Sequence, residues 1–271
     1  MSHRLQWTLL VLLGAIWGSS FMFMRVAVPA FGPVPLIAIR VTIAALTLAP
    51  ILAWQRKLVW PRASLGHLVL VGVLNSALPF CLFAYATQTI SAGLAAVLNS
   101  TVPIFAVLIA RAWLHQPITL TRGLGTAVGF AGVTLLVWHD LATRGQAMAI
   151  IAGTTSSVCY AFAAHYTRRY LAHLDPLVVA TGSQIAAAMA LLPIALFTLP
   201  HRWPSSADWG AVFVLGLLCT SAAYAIYFQL IARIGASSAV LVTYLIPVFG
   251  IVWEHSCSAS MCLPLSSPPA R

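Results

Sequence analysis

Charge is what this sequence lacks: of 271 residues only 7% are charged and 4 are acidic, against about 25% charged in an ordinary soluble domain. Asp140 and Asp175 fall in loops, Asp208 opens a helix and Glu254 follows the last long apolar run, so no carboxylate lies in the middle of a run. Ionisable groups inside a membrane are costly and usually functional. Their near absence argues against an antiporter built around a buried carboxylate. It also removes the clustered aspartates of a membrane prenyl transferase and the aspartate pair of an intramembrane protease. Lysine occurs once, as Lys57 in a loop, so no run offers an amine for a Schiff base. Five cysteines are scattered without a paired spacing, and eight histidines form no HExxH or similar pattern. The expectation is therefore no disulfide framework, no metal site, no cofactor and no enzyme.

What the sequence has is apolar length. Hydrophobic residues make up 61% and mean hydropathy is +0.95. A helix that crosses the ~30 Å hydrocarbon core needs about 20 apolar residues, and the chain supplies nine such stretches. They run roughly over Leu5–Val28, Val34–Trp54, Leu65–Ala86, Ala92–Trp113, Thr121–Trp138, Gln146–Thr167, Leu177–Leu199, Asp208–Ile231 and Ala236–Trp253. The runs are too long for barrel strands and lack two-residue alternation, so the expected fold is an all-α integral membrane protein. A net charge of +10 then borders a lipid bilayer rather than binding nucleic acid. With the amino terminus cytoplasmic, nine basic residues (Arg4, Arg56, Lys57, Arg62, Arg111, Arg122, Arg168, Arg169, Arg233) fall in inner loops and three (Arg25, Arg144, Arg202) in outer ones. The positive-inside rule selects that orientation.

The chain repeats itself. A shift of 144 residues lays Ile90–Phe105 (ISAGLAAVLNSTVPIF) on Ile234–Phe249 (IGASSAVLVTYLIPVF), aligning Pro103 with Pro247 and Phe105 with Phe249. Five spans per repeat is odd, so the second repeat starts on the opposite side of the membrane and the pair is inverted. The expected division is 1–140 as a first repeat of five spans, 141–253 as an incomplete second repeat of four, and 254–271 as a non-helical tail rich in Ser, Pro and Cys. The tail reads as the place where a tenth span has been lost, or as a genuine short outer tail.

These residues resemble a known family. GAIWGSSFMFMRVAV in the first span, PLIAIRVTIAAL in the second, FAYATQTISAGLAAVLNSTVPIF and AYAIYFQLIARIGASSAVLVTYLIPVF are similar to the ten-span, EamA-type branch of the drug/metabolite transporter superfamily. The resemblance covers Leu5 to Trp253. It implies two inverted repeats and export or exchange of small metabolites, amino acids or drugs at the bacterial inner (plasma) membrane. The position of Arg40 agrees with the arginine of the family's second-span pattern. The chain departs from that pattern in two places: His115 stands where an acidic residue commonly follows the fourth span, and the tenth span with its acidic loop is missing.

The residues themselves suggest a site. Proline in a helix frees the carbonyl four positions earlier. Pro79, Pro103 and Pro247 thus place unpaired acceptors at Asn75, Asn99 and Thr243, each a polar residue, and are the expected helix-bending elements. Dry interhelical hydrogen bonding is the alternative role for Asn75, Asn99 and Thr243. Arg40 lies about 9 Å inside its helix at 1.5 Å per residue; it either snorkels to the interface or attracts an anionic solute group. Trp17, Tyr85, Gln88, Tyr224 and Tyr227 supply aromatic and amide walls, and Gln184 and Gln229 are amides too costly to face lipid. Gly14 with Gly18 and Gly125 with Gly129 have the spacing of close helix packing, within the monomer or in a homodimer. The preferred reading is a secondary transporter that moves a small organic solute by alternating access. Two rivals stay open: a truncated inactive carrier, or a subunit that needs a partner. An integral membrane enzyme ranks below both.

Overall fold

The computed structural model describes residues 3–56, 62–137, 144–198, 200, 203–234 and 242–260. Among them every regular element is helical: α1 (His3–Phe31), α2 (Pro33–Trp54), α3 (Leu65–Gly72), α4 (Leu78–Ala86), α5 (Ala92–Asn99), α6 (Val102–Leu114), α7 (Leu120–Val137), α8 (Arg144–Tyr170), α9 (Pro176–Phe197), α10 (Ser206–Gly216), α11 (Ala223–Ile234) and α12 (Val242–Ser260). Seven helical stretches are long and apolar enough to cross a membrane. They correspond to seven of the nine runs expected from the sequence. The other two runs are helical as α7 and α12.

Local chemistry sets the boundaries. Gly32 takes φ 75° between α1 and α2, and Pro33 starts the next helix where its missing N–H costs nothing. Ser91 caps α5, Asp175 caps α9 ahead of Pro176, and Ser205 with Asp208 forms a reciprocal capping box on α10.

Two spans are interrupted by π-helical turns. The third run is α3, a π-helical turn at Val73–Ala77 and α4, with Pro79 at the start of α4. The eighth is α10, a π-helical turn at Leu217–Ala222 and α11. These two turns lie 144 residues apart, the displacement of the repeat. The glycines that precede them, Gly72 and Gly216, share that displacement and both allow close approach. A Cβ on Gly72 would fall 2.6 Å from the Ser183 carbonyl oxygen, and one on Gly216 would fall 2.7 Å from Cβ of Ile43.

The fourth run departs from the expectation of a bent but continuous span. Helix α5 ends at Asn99, and Pro103 occupies the first turn of a new helix, α6. Hydroxyls add further donors to carbonyls that already accept the backbone N–H groups of Ser100 and Thr101 at the break: Ser100 donates to Val97, and Thr101 and Ser157 donate to Leu98. Pro247 lies inside α12.

Helix α2 packs on α9. Leu48 and Leu52 cluster with Leu177 and Val178, so the end of α2 meets the start of α9 and the two run antiparallel, as inversion of the repeats requires. Helices α1 and α12 run in the same direction, Gly14 against Leu245 and Gly18 against Phe249 and Gly250. The stretch 254–271, expected to be a non-helical tail, is helical through Ser260; residues 261–271 lie outside the described residues. The reason is physical: no Gly or Pro interrupts the chain between Gly250 and Pro264, and Glu254 is anchored. Its carboxylate accepts from the Gly93 N–H at 2.8 Å and pairs with Arg25 at 3.5 Å. Trp253, which terminates its run like an interface anchor, instead donates its indole N–H to the Ala15 carbonyl at 3.0 Å.

The Gly14 and Gly18 pair is therefore an intramolecular seam between α1 and α12, whereas a Cβ on Gly125 would meet nothing within 4 Å among the described residues. A Cβ at Gly18 would lie 2.7 Å from Cβ of Phe249 and 2.9 Å from the Gly250 nitrogen. Overpacking of this kind costs about 1–3 kcal/mol. Gly18→Leu is expected to lower the melting temperature of the detergent-solubilised protein by several degrees, and Gly125→Leu to leave it unchanged.

Candidate functional site

Arg40 sits in the middle of the bundle, 3% exposed, so it does not snorkel. Its Nε donates to the Thr220 hydroxyl at 3.0 Å, one terminal nitrogen points to the Met24 sulfur at 3.7 Å, and the guanidinium carbon lies 4.0 Å above the centre of the Phe80 ring. Among the described residues it meets no carboxylate. A desolvated cation–π contact and a charged hydrogen bond offset roughly 2 kcal/mol each, while the effective penalty for burying an ion is several. The Thr220 hydroxyl, the Met24 sulfur and the Phe80 ring are the contacts of the guanidinium among the described residues, and none of them is an anion.

Thr220 is held ready by the π-helical turn on which it lies: its hydroxyl donates to the Leu215 carbonyl at 2.8 Å, five residues back, leaving its lone pairs for Arg40. The matching turn in the first repeat carries Ser76, and the Gln184 side chain donates its Nε2 to the Ser76 hydroxyl at 2.8 Å. Arg40 and Gln184 are themselves 144 residues apart, as are Ser76 and Thr220, and Phe80 and Tyr224. The two hydrogen bonds are thus mirror events. Each repeat reaches from its second helix to the π-helical turn of the other. The antiparallel register of α2 on α9 puts Arg40 and Gln184 within about one helical turn of the same level, beside the pseudo-two-fold axis.

The mates differ chemically. Arg40 is a cation, whereas Gln184 is a fully buried neutral amide whose Oε1 is the buried side-chain oxygen without a partner among the described residues. An unsatisfied buried acceptor costs about 1–3 kcal/mol.

Tyr224 joins the two halves of this arrangement. Its hydroxyl accepts from Nδ2 of Asn75 at 3.4 Å and lies within reach of Ser76, and it is inside the electrostatic reach of Arg40, with Tyr160 and Cys219. Asn75, Tyr160, Tyr224 and Tyr227 keep accessible surface although they lie deep among the helices. Trp17 packs on Tyr227 with ring centres 5.3 Å apart.

The structure thus brings together Trp17, Arg40, Asn75, Gln184, Tyr224 and Tyr227 of the residues singled out from sequence. Asn99 is buried at the α5–α6 break, and Thr243 is half-buried on α12. Tyr85 is 42% exposed, and Gln88 and Gln229 are exposed. No contact among the described residues links these three exposed side chains to the group around Arg40. Ser76, Phe80, Tyr160 and Thr220 belong to the group without having been singled out from sequence. Carrying the 144-residue shift beyond Ile90–Phe105 pairs Ser76 with Thr220 and Phe80 with Tyr224, so the sequence holds a signal for three of these four.

Comparison with known proteins agrees with this architecture. The model of the EamA-like transporter family matches the chain twice, at residues 5–138 and 147–257. The "Probable terminal-alkyne amino-acid exporter" of Streptantibioticus cattleyicolor is 29% identical over 250 residues, which cover 90% of this chain and 82% of that protein. The "Uncharacterized inner membrane transporter YedA" of Escherichia coli K12 is 26% identical over 241 residues, covering 88% and 78%. A solved structure described as "Crystal structure of protein" superposes with a TM-score of 0.67 at 18% identity, covering 97% of this chain and 91% of the other, and so shares the fold.

If the half-exposed polar residues line a wet interior, a cysteine at position 75 must be reachable from water. In a background without native cysteines, Asn75→Cys is expected to react with a membrane-impermeant thiol reagent about tenfold faster than Leu48→Cys, since thiol reactivity follows access. Equal shielding of both positions in every condition would remove the vestibule.

Proposed function

Because the chain belongs to the EamA-like transporter family, we propose that it exports or exchanges a small organic solute carrying a carboxylate, an amino acid being the preferred case, by alternating access between the inverted repeats. The chain is a multi-pass membrane transporter; the solute, the direction and the mechanism are the proposal. The observation that carries it is Arg40: a cation buried at 3% exposure, with no carboxylate beside it among the described residues, at the level where the two repeats cross. A carboxylate supplies the charge this site lacks, and the walls formed by Phe80, Tyr160, Tyr224 and Trp17 suit the apolar part of a small metabolite. The name of the Streptantibioticus relative, an amino-acid exporter, favours the same class.

The repeats supply the motion. Each interrupts its third helix with a π-helical turn, and π-turns are frequent at functional sites. Rocking of one repeat against the other about a site near the pseudo-two-fold axis exposes the solute to each side in turn. The excess of basic residues in alternate loops supports an amino terminus in the cytoplasm of a cell whose inner membrane holds the protein.

Counterflow of radiolabelled amino acids in proteoliposomes tests the reading. Arg40→Ala is expected to lower kcat/KM by about 10- to 100-fold, the loss of one charge-assisted hydrogen-bonded contact of about 1.5–3 kcal/mol. Arg40→Lys, which keeps the charge but loses the planar fork, should retain an intermediate rate. Counterflow that is indifferent to both substitutions removes Arg40 from the site.

A further inference from the structure

We infer that Gln184 is the second anchor of the solute site and takes the solute's ammonium group, so that the site recognises a zwitterion end to end. This rests on the reading above, in which Arg40 holds the carboxylate.

The symmetry of the repeats is broken at one pair of positions. The fold puts two chemically different side chains at equivalent positions of its repeats, Arg40 and Gln184. Each hydrogen-bonds to the π-helical turn of the opposite repeat, at Thr220 and Ser76. Both are almost fully buried. If both were only struts between repeats, each would need just its hydrogen bond to the hydroxyl. Instead each has capacity left over, and of opposite kind. Arg40 retains a positive charge with no carboxylate beside it among the described residues. Gln184 retains Oε1, an acceptor with no donor among them. With Nε2 donating to the Ser76 hydroxyl, Oε1 is the atom turned away from it.

A chain of contacts joins the two ends. Gln184 touches Ser76, Ser76 lies within reach of the Tyr224 hydroxyl, Tyr224 accepts from Asn75, and Tyr224 feels the charge of Arg40. An ammonium group carries three N–H donors and no acceptor, which matches an amide oxygen beside tyrosine and serine oxygens. Among the described residues no carboxylate stands near to hold it more tightly, as suits a solute that must also leave.

The test separates this inference from the reading it rests on. The purified full chain in proteoliposomes is offered three probes of one shape: L-leucine, 4-methylpentanoate, which lacks the ammonium, and 3-methylbutylamine, which lacks the carboxylate. Counterflow gives kcat/KM for each with wild type, Gln184→Met and Gln184→Glu. The expected result is a preference of wild type for leucine over 4-methylpentanoate that falls about tenfold in Gln184→Met and is kept or increased in Gln184→Glu, whose carboxylate still accepts from an ammonium. A preference that stays at the wild-type ratio in Gln184→Met overturns the inference and leaves Gln184 a strut between repeats. Should Gln184→Met not fold, Ser76→Ala, which unfixes the amide, is read in the same way: a reduced ratio supports the inference and an unchanged ratio overturns it. Wild-type protein that moves neither leucine nor 4-methylpentanoate, or moves 3-methylbutylamine best, instead overturns the carboxylate reading at Arg40.

Discussion

A guanidinium held in the middle of a lipid-embedded bundle, with no carboxylate beside it among the described residues, constrains everything around it. Burial of the ion is tolerated only because the Phe80 face, the Thr220 hydroxyl and the Met24 sulfur converge on it, and each comes from a different helix. Thr220 is in place because Gly216 lets α10 close on α2, with its Cα direction against Ile43 and the Arg40 carbonyl, and because the π-helical turn shifts the hydroxyl by one residue relative to a regular helix. The repeat reproduces this construction with Gly72, Ser76 and Gln184. One close-packed glycine per repeat, just ahead of a π-helical turn, therefore sets the geometry of the whole centre.

The irregular backbone that makes this possible would be prohibitive in lipid without hydroxyls. Ser156 donates to the Pro79 carbonyl, Ser157 to Leu98, Thr220 to Leu215 and Ser221 to Gly216. Serines and threonines that look like neutral filler in an apolar sequence are the groups that keep the interrupted spans satisfied. Interrupted helices with satisfied ends can move relative to one another without exposing bare backbone, which is the physical requirement for a carrier that changes shape inside a membrane.

Much of the fold is legible without coordinates. Length, hydropathy and the scarcity of charge lead to an all-helical membrane protein, and the aligned prolines lead to inverted repeats. Arg40 stands out because a lone cation within an apolar run has few roles open to it besides snorkelling and anion binding. The departures have specific causes. Residue type alone groups Tyr85, Gln88 and Gln229 with the site, but direction around a helix is set by packing, and a 3.6-residue period in a nearly all-apolar segment carries almost no sign of which face is inside. The serines and cysteines after Trp253 favour a loop, although propensity is a weak prior beside two anchoring contacts to Glu254, from Arg25 and Gly93.

By itself the sequence determined the medium, the helical class and the duplication, because these follow from composition, run length and spacing, which are properties of the chain alone. Only the tertiary structure decided that Arg40 faces Thr220 while Gln184 faces Ser76, each reaching the π-helical turn of the opposite repeat. Those contacts join residues 180 and 108 positions apart. They depend on how antiparallel helices settle against glycines at van der Waals distance, and no periodicity along one strand of sequence records that.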